Sequence, residues 1–326
     1  MSDKRKYALG LDIGGTNTVM GAVDADGGIA STVSVKTAEY KTAESFAKAV
    51  ADMARCVAAG VGGPGRVVAM GVGAPGANYY RGTVEHAANL AWGRGVVPLA
   101  EMLGGLTGLP VVVENDANAA AVGEMRYGAA RGMRDFVEVT LGTGVGSGVV
   151  AGGRLVHGSD GQAGEMGHMI VRREGGRECG CGRRGCLETY CSATGVVRTA
   201  RQALGESGEG SALRAIAPDA LTSLDVYRAA AAGDALAQGV FRATGRIIGE
   251  ACAEVAALLS PQAFVFFGGL AQAGEMLLAP LREAYEANVL SLYAGKARFL
   301  VSELDGASAA ILGAAAMGWE RAEGRE

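Results

Sequence analysis

The chain opens with short apolar segments separated by glycine-rich turns. Residues 7–11 form an apolar run that ends in an aspartate and two glycines, and residues 18–23 and 29–35 then alternate as strands do. Residues 42–59 instead repeat their apolar side chains at helical spacing and are followed by a glycine stop. The pattern predicts a three-stranded meander followed by a helix.

The same order of segments returns in the middle of the chain. Residues 136–141, 145–151 and 154–157 again give strand, glycine turn, strand, glycine turn, strand. The interval is too long for a solenoid period. We interpret the repeat as an internal duplication, which predicts two related α/β domains facing each other across a cleft.

The remaining periodic segments complete an α/β pattern. Strands are predicted over residues 67–72, 111–113, 264–267 and 299–301. Helices are predicted over residues 99–106, 117–127, 188–203, 223–232, 234–259 and 308–320. The polar, Gly/Ser-rich segment 205–220 is predicted to be a surface loop.

Composition narrows the class of protein. Glycine accounts for 53 of 326 residues, more than twice the usual share of about 7 per cent, without a collagen period. The chain is too apolar for a disordered protein, and its formal charge of −4 makes a nucleic-acid partner unexpected. We expect no signal peptide, no membrane span and a cytoplasmic location, because an aspartate interrupts the first apolar run and no run approaches about 20 residues.

The first glycine turn carries candidate phosphate ligands. Glycines at a strand end leave backbone N–H groups open to phosphate oxygens, here at Gly14 and Gly15, and Thr16 and Thr18 add hydroxyl donors. Asp12 is a candidate ligand for Mg²⁺, directly or through water. The alternative is a plain Gly-Gly hairpin with a polar edge. The motif fits neither the P-loop nor the strand–helix dinucleotide fingerprint.

A second glycine turn, Gly142-Thr143-Gly144, occupies the equivalent place in the repeat. Two such hairpins facing each other are suited to clamping one polyphosphate. The pair Gly268 and Gly269 follows another buried strand and is a candidate to pass close to a base or ribose. A simple strand-to-helix turn explains that pair equally well.

The segment Glu114-Asn115-Asp116 lies where the predicted strand 111–113 meets the next predicted helix. A carboxylate at this point is expected to lie at the mouth of the cleft. Asp116 suits a general base that accepts a proton from an attacking hydroxyl. Asn and Asp also serve well as helix N-caps, and Asp116 could fill both roles.

The most specific motif is a set of one histidine and three cysteines: His168, Cys179, Cys181 and Cys186. One imidazole and three thiolates supply the ligands of a closed, structural Zn²⁺ site. The alternatives are free thiols or a local disulfide, although Cys179 and Cys181 are too close in sequence for an easy mutual bridge.

A zinc-folded loop would also fix Glu165 and Glu188 near His168. The other cysteines are expected in the core: Cys56, Cys191 and Cys252. The other histidines, His86 and His157, are expected to be structural or surface residues rather than catalysts.

Together these motifs resemble the ROK family (repressors, open reading frames and kinases) over about residues 7–320. The resemblance rests on DIGGT at 12–16, ENDAN at 114–118, LGTGVGSG at 141–148, EMGH at 165–168 and CGCGRRGCLE at 179–188. It implies the actin–hexokinase–chaperone ATPase fold, in which two RNase H-like α/β domains surround a central cleft. On this basis residues 1–116 with 305–326 form a small domain, and residues 117–304 form a large domain with the zinc loop and a dimerisation surface.

The resemblance also implies an ATP- and Mg²⁺-dependent sugar kinase, usually a homodimer. The segment GAPGANYYRGTVEHAANLAWG looks like the glucokinase members, which transfer the γ-phosphoryl group of ATP to the 6-hydroxyl of glucose. The residues matching the family's sugar ligands, with Asp116 as base, are Gly76, Asn89, Asn115, Asp116, Glu165, His168 and Glu188. The matching histidine binds zinc through one ring nitrogen and sugar through the other. Asn17 departs from the lysine that many family kinases carry there.

Three alternative functions are considered. An N-acetylglucosamine or N-acetylmannosamine kinase of the same family differs only in the sugar accepted. A sugar-responsive repressor needs a helix-turn-helix before the first loop, and the eleven residues before Asp12 leave no room for one, so a repressor is not expected. A non-catalytic sugar-sensing or scaffold protein is disfavoured by the presence of Asp12, Asp116 and both hairpins.

Overall fold

The computed structural model describes residues 5–208 and 210–324. The strands within these residues are β1 (Tyr7–Ile13), β2 (Asn17–Val23), β3 (Ile29–Lys36), β4 (Val67–Gly73), β5 (Ala77–Asn78), β6 (Thr83–Glu85), β7 (Val96–Val97), β8 (Val111–Glu114), β9 (Phe136–Leu141), β10 (Val145–Ala151), β11 (Arg154–Leu155), β12 (Ala263–Phe267) and β13 (Arg298–Val301). The helices are α1 (Ala43–Gly60), α2 (Leu99–Thr107), α3 (Asp116–Tyr127), α4 (Glu188–Cys191), α5 (Ala193–Glu206), α6 (Ser223–Ala231), α7 (Ala235–Leu259), α8 (Glu275–Asn288) and α9 (Gly306–Glu323).

The first sheet has the strand order β3-β2-β1-β4-β8. Strands β1, β2 and β3 pair antiparallel through their hairpins, as the alternating pattern predicts, whereas β4 and β8 add on in parallel. Asp12 pairs with Gly73, and Gly73 pairs with Glu114, at the carboxyl ends of β1, β4 and β8. The register therefore brings the end of β1 and the start of α3 to the same edge of this sheet.

The second sheet repeats this topology, with the order β11-β10-β9-β12-β13. Strand β12 is parallel to both β9 and β13, as β4 is to its neighbours in the first sheet. The shared order confirms the predicted duplication of the strand–turn–strand segment. The chain is an α/β protein with two mixed sheets, and a small antiparallel sheet of β5, β6 and β7 was not predicted.

The described chain divides into two compact units. Unit 1 comprises residues 5–133, 148–163 and 303–324, and unit 2 comprises residues 134–147 and 164–302 apart from Glu209. One of the four points at which the chain passes from one unit to the other, between residues 147 and 148, falls inside β10. The domain boundaries implied by the family resemblance stay a prediction.

Unit 1 is built by packing α1 and α9 against the first sheet. Helix α1 begins at the cap Thr42, whose side chain accepts from Ser45 N, and its apolar stripe is buried, with Phe46 stacked on Trp92 at 4.6 Å between ring centroids. A Cβ at Gly10 would lie 2.0 Å from Ile311 O, and one at Gly71 would lie 1.8 Å from Ala314 O. These two glycines therefore allow the backbone of α9 to approach β1 and β4 more closely than any other residue permits.

Three expectations from the sequence need correction. The helix predicted over 188–203 is two helices, because Ser192 adopts an extended conformation and its side chain caps α5 by accepting from Gly195 N. Helix α8 was not predicted, and it contains Pro280. Cys56 is exposed rather than in the core, because the buried stripe of α1 lies on its other face.

Two other expectations, on buried cysteines and on a surface segment, hold. Cys191 and Cys252 are fully buried. The predicted surface segment 205–220 contains two short 3-10 turns, Ala212–Ala215 and Pro218–Ala220, while Glu209 lies outside the described residues. Within the described residues, no helix combines the length and apolar character needed to cross a membrane.

Candidate functional site

Two carboxylates lie at the carboxyl edge of the first sheet in unit 1. Asp12 ends the apolar part of β1, and Asp116 begins α3 directly after β8. Burial and, to a smaller extent, the negative charge of Asp116 together raise the pKa of Asp12 from 3.8 to about 6. The two groups therefore interact electrostatically, and a divalent cation beside them would relieve both the burial cost and the repulsion.

The turn from β8 into α3 presents Asp116 to solvent. Asn115 is the N-cap, and its Oδ1 accepts from Ala117 N at 2.9 Å. Asp116 occupies the first helical position, is exposed, and its Oδ1 also accepts from Ala117 N at 2.9 Å. Asn115 is thus the N-cap of α3, and Asp116 presents an exposed carboxylate at the first position of the helix.

The first glycine hairpin is tightly closed. Gly14 N donates to Asn17 O at 3.0 Å. A Cβ at Gly15 would lie 3.1 Å from Asn89 O, so the hairpin and the predicted sugar ligand Asn89 are neighbours in unit 1. Thr16 is exposed, whereas Thr18 is fully buried and its hydroxyl is paired with that of Thr37 at 2.8 Å. Thr18 therefore stabilises the hairpin through a buried hydrogen bond to Thr37.

Gly76 lies in the loop that leaves β4. Its φ is +66°, and a Cβ there would lie 2.5 Å from Glu85 O. The residue is held by the hydrogen bond from Glu85 N to its carbonyl at 2.7 Å. This loop must therefore contain glycine at that position.

The second glycine hairpin belongs to unit 2. Gly142 N donates to Gly144 O at 3.1 Å, and Gly142 O in turn accepts from Ala193 N at 2.8 Å. Thr143 O accepts from the hydroxyl of Thr194 at 2.8 Å. These bonds join the hairpin to the start of α5. They use the backbone of Thr143 and not its side-chain hydroxyl.

A cavity of about 380 Å³ opens beside this hairpin within unit 2. Gly142, Thr143 and Gly269 line it, as do the apolar side chains of Leu224, Tyr227 and Phe241. Gly268 has φ +98° and packs against Leu141 O, which places the ends of β9 and β12 side by side. The volume and lining suit a planar apolar group next to backbone N–H donors.

The histidine and the three cysteines of the predicted zinc motif meet in unit 2. The nitrogen and sulfur atoms of His168, Cys179, Cys181 and Cys186 all lie within 4.8 Å of one another. Glycines allow the wrapping, since a Cβ at Gly185 would lie 1.9 Å from Arg172 O. A set of one imidazole and three thiols converging in this way fits a tetrahedral Zn²⁺ site by donor chemistry.

The two ring nitrogens of His168 face different partners. Nδ1 lies 3.7 Å from Cys179 Sγ and 3.8 Å from Glu188 Oε1. Nε2 lies 3.8 Å from Glu165 Oε2. The Nδ1 side therefore faces the thiols, and the Nε2 side faces the carboxylate of Glu165, as a shared role in metal and ligand binding requires.

The thiols differ strongly in acidity. Burial raises the pKa of Cys179 to about 12 and also raises that of Cys186. A backbone hydrogen bond from Arg183 lowers the pKa of Cys181 to about 6. Binding a cation requires deprotonated thiols, so uptake of zinc by this cluster would release protons.

The sequence of the chain matches a known protein family over nearly its whole length. The family model described as "ROK family" matches residues 8–321.

The chain belongs to the ROK family.

A curated glucokinase from Halalkalibacterium halodurans is 38% identical over 335 residues, covering 98% of this chain and 95% of that protein. A solved ROK family glucokinase from Streptomyces griseus, in complex with glucose and AMPPNP, has a TM-score of 0.77 at 36% identity, with 96% and 99% of the two chains covered. A solved ROK transcriptional regulator, a homologue of the E. coli Mlc protein, has a TM-score of 0.86 at 25% identity. The match covers 98% of this chain and 79% of the regulator.

Several residues near the candidate sites of this ROK chain were not predicted from the sequence. Tyr227 and Leu224 line the cavity beside the second hairpin, and only the apolar spacing of α6 hints at them. Thr37 pairs with Thr18 across two strands, which no local pattern shows. His157 was expected to be merely structural, but it lies 2.8 Å from the buried carboxylate of Glu114, beside the predicted base.

The raised pKa of Asp12 makes the stability of the metal-free ROK protein depend on pH. Between the ordinary pKa of 3.8 and about 6 the folded state binds more protons than the unfolded state, so stability falls as pH rises through this window. Asp12→Asn removes that cost. We expect it to raise the free energy of unfolding by about 1–3 kcal/mol above about pH 7, the lower values reflecting partial solvent screening.

The measurement is urea unfolding at several pH values in the presence of a chelator. The gain in Asp12→Asn should shrink as pH falls toward 4, and the exposed Asp26→Asn variant should show no such trend. A pH-independent difference would contradict the assignment.

Proposed function

We propose that the chain is an ATP-dependent hexose kinase, a glucokinase that phosphorylates the 6-hydroxyl of glucose. The observation that carries this is the pair of interacting carboxylates, Asp12 at the end of β1 and Asp116 just after β8, on the edge where the parallel strands β1, β4 and β8 end. Relatives at 34–38% identity over nearly the whole chain are curated glucokinases, and a related solved structure holds glucose and AMPPNP. The chain is accordingly an enzyme of the ATP:hexose phosphotransferase class.

Asp116 is the proposed general base. Its carboxylate is exposed at the N-terminus of α3, and in this role it accepts the proton of the 6-hydroxyl. Removing that proton as the oxygen attacks the γ-phosphorus keeps the attacking oxygen nucleophilic. The oxygen–phosphorus bond to the sugar forms, the bond to the β,γ-bridging oxygen breaks, and ADP leaves.

Each of the two units supplies residues that we propose as nucleotide ligands. Gly14, Gly15 and Thr16 of the first hairpin, with Gly142, Thr143 and Gly144 of the second, offer backbone and hydroxyl donors to the phosphates. The apolar cavity next to Gly269 and Gly268 suits the base and ribose. Thr18, predicted as a direct ligand, acts by holding Thr37 and the first hairpin in place. Asp12 is the residue that would hold Mg²⁺, which neutralises charge on the phosphates when bound.

The sugar ligands are proposed from the family motifs. Gly76, Asn89 and Asn115 come from unit 1, and Glu165, His168 and Glu188 come from unit 2. Asn115 uses its Oδ1 as a cap, so its amide N–H₂ is the group offered to sugar hydroxyls. His168 Nε2, on the Glu165 side, is the ring nitrogen proposed to face sugar.

A structural Zn²⁺ is proposed at His168, Cys179, Cys181 and Cys186, where it would fold the loop and fix the tautomer of His168. The proposal also includes the actin–hexokinase–chaperone ATPase fold, with two RNase H-like domains at 1–116 with 305–326 and at 117–304. The repeated strand order of the two sheets supports that fold. A homodimer, as is usual in the family, completes the proposal.

A panel of sugars tests the function. With ATP and Mg²⁺, we expect ADP release with glucose at a kcat/KM at least about tenfold above N-acetylglucosamine, mannose and N-acetylmannosamine, because discrimination at one ring position is worth about 1–3 kcal/mol. The coupled assay reports ADP formed per enzyme. A preference for an N-acetylated sugar would establish the alternative kinase, and no turnover on any hexose would favour a sugar-sensing or scaffold protein.

A further inference from the structure

A buried network lies directly behind the proposed base, within unit 1. Glu114 is the last residue of β8 and its side chain is 1% exposed. Its Oε1 accepts from Asn115 N at 2.7 Å and from Asn118 Nδ2 at 3.0 Å. One carboxylate oxygen therefore holds the backbone at Asn115 and the first turn of α3, on either side of Asp116.

The second oxygen of Glu114 has a different neighbour. His157 Nε2 lies 2.8 Å from Glu114 Oε2, outside ideal hydrogen-bond alignment, and neither atom has a hydrogen-bond partner within the described residues. A buried carboxylate without a facing donor is costly, so Glu114 depends on this imidazole for compensation.

The imidazole is itself held in place. Its ring stacks on Tyr79 with centroids 3.9 Å apart and planes at 17°, and its side chain is 16% exposed. The backbone carbonyl of His157 accepts from Ala163 N at 3.1 Å. Stacking and backbone bonding leave the ring few alternative orientations, so Nε2 stays directed toward Glu114.

From these contacts we infer that His157 is a positioning residue for the phosphoryl transfer: it fixes Glu114, which fixes the β8–α3 turn that carries Asn115 and Asp116. This inference rests on the proposed function, in which Asp116 is the base. This role requires no contact of His157 with sugar or nucleotide. His157 acts by keeping the carboxylate behind the turn in a single, compensated position.

Kinetics of paired substitutions test the inference. His157→Leu leaves the Glu114 charge unpaired, so kcat should fall about 10–100-fold, as expected when a catalytic group is displaced by about 1 Å. His157→Gln places an amide N–H₂ near the Nε2 position and should keep kcat within about threefold. Adding Glu114→Gln to His157→Leu removes the unpaired charge while keeping the acceptor for Asn115 N, and should recover kcat at least about threefold over His157→Leu.

The recovery separates positioning from packing. If the histidine ring only filled space, the added Glu114→Gln change would recover nothing, and His157→Gln would lose as much as His157→Leu; either result would overturn the inference. Arg154→Ala is the matched control, because exposed Arg154 lines the same cavity of about 270 Å³. It should leave kcat unchanged. If His157→Leu does not fold, refolding of the double variant supports the inference and its failure to refold overturns it.

A second readout does not require turnover. Selective ¹⁵N-asparagine labelling leaves six asparagines to observe, among them Asn115 and Asn118. Exchange of the Asn115 amide with solvent should accelerate at least about tenfold in His157→Leu and return toward the wild-type rate in the double variant. Unchanged exchange would refute the network even in an active kinase. If the unaltered chain phosphorylates no sugar but His157→Leu still accelerates exchange of the Asn115 amide, the proposed function is refuted and the network is supported.

Discussion

Asp116→Asn is expected to lower kcat for glucose phosphorylation by about 10²–10⁴-fold, the usual contribution of a positioned general base. The amide keeps the size of the side chain and can still accept from Ala117 N, as Asp116 Oδ1 does at 2.9 Å. It cannot take the proton of the sugar hydroxyl. Because only proton acceptance is lost, the KM values for glucose and ATP should stay within about threefold of wild type.

Initial rates from coupled ADP release, with both substrates varied, give these constants. The exposed Asp26→Asn variant controls for removing one negative charge from unit 1. Removal of the Asp116 charge should also lower the pKa of Asp12, since that charge contributes to raising it. Near wild-type kcat in a folded Asp116→Asn enzyme would show that another group, or no group, takes the proton.

Much of the fold follows from local pattern. The meander from β1 to β3 and its repeat were predicted because alternation and glycine turns are encoded within short windows of sequence. The strand register accounts for the position of the two aspartates, since parallel pairing of β1, β4 and β8 brings Asp12 and Asp116 to one edge of the sheet. The candidate loops were therefore found from sequence, because each combines a strand end with a glycine or acidic residue.

What escaped prediction depends on contacts between distant segments. Gly10 and Gly71 look like ordinary strand residues, and only the packing of α9 shows why a side chain is excluded there. Thr18 looked like a phosphate ligand until its hydroxyl was found to be buried against Thr37. The pairing of Glu114 with His157 joins residues from β8 and the segment after β11, and no spacing rule connects them.

The proposed zinc site gives the second large effect. Cys181→Ser should reduce bound zinc from about one ion per chain to a small fraction, because oxygen from a serine hydroxyl is a poor substitute for thiolate. Loss of zinc should lower kcat/KM for glucose about 10–100-fold, because the metal no longer fixes the positions of His168, Glu165 and Glu188. Cys181 is exposed, so the substitution itself disturbs little packing, and the effect reports on the metal.

Metal analysis, thermal melting and hydrogen exchange over residues 164–191 measure the outcome, with Cys56→Ser as the control for loss of an exposed thiol. Faster exchange should be confined to this segment. Zinc affinity in the unaltered chain should rise with pH, because the buried Cys179 thiol, whose pKa is about 12, must lose its proton to bind metal. A folded, fully active protein without zinc would remove the metal from the proposal and leave His168 to be oriented by Glu165 and Glu188 alone.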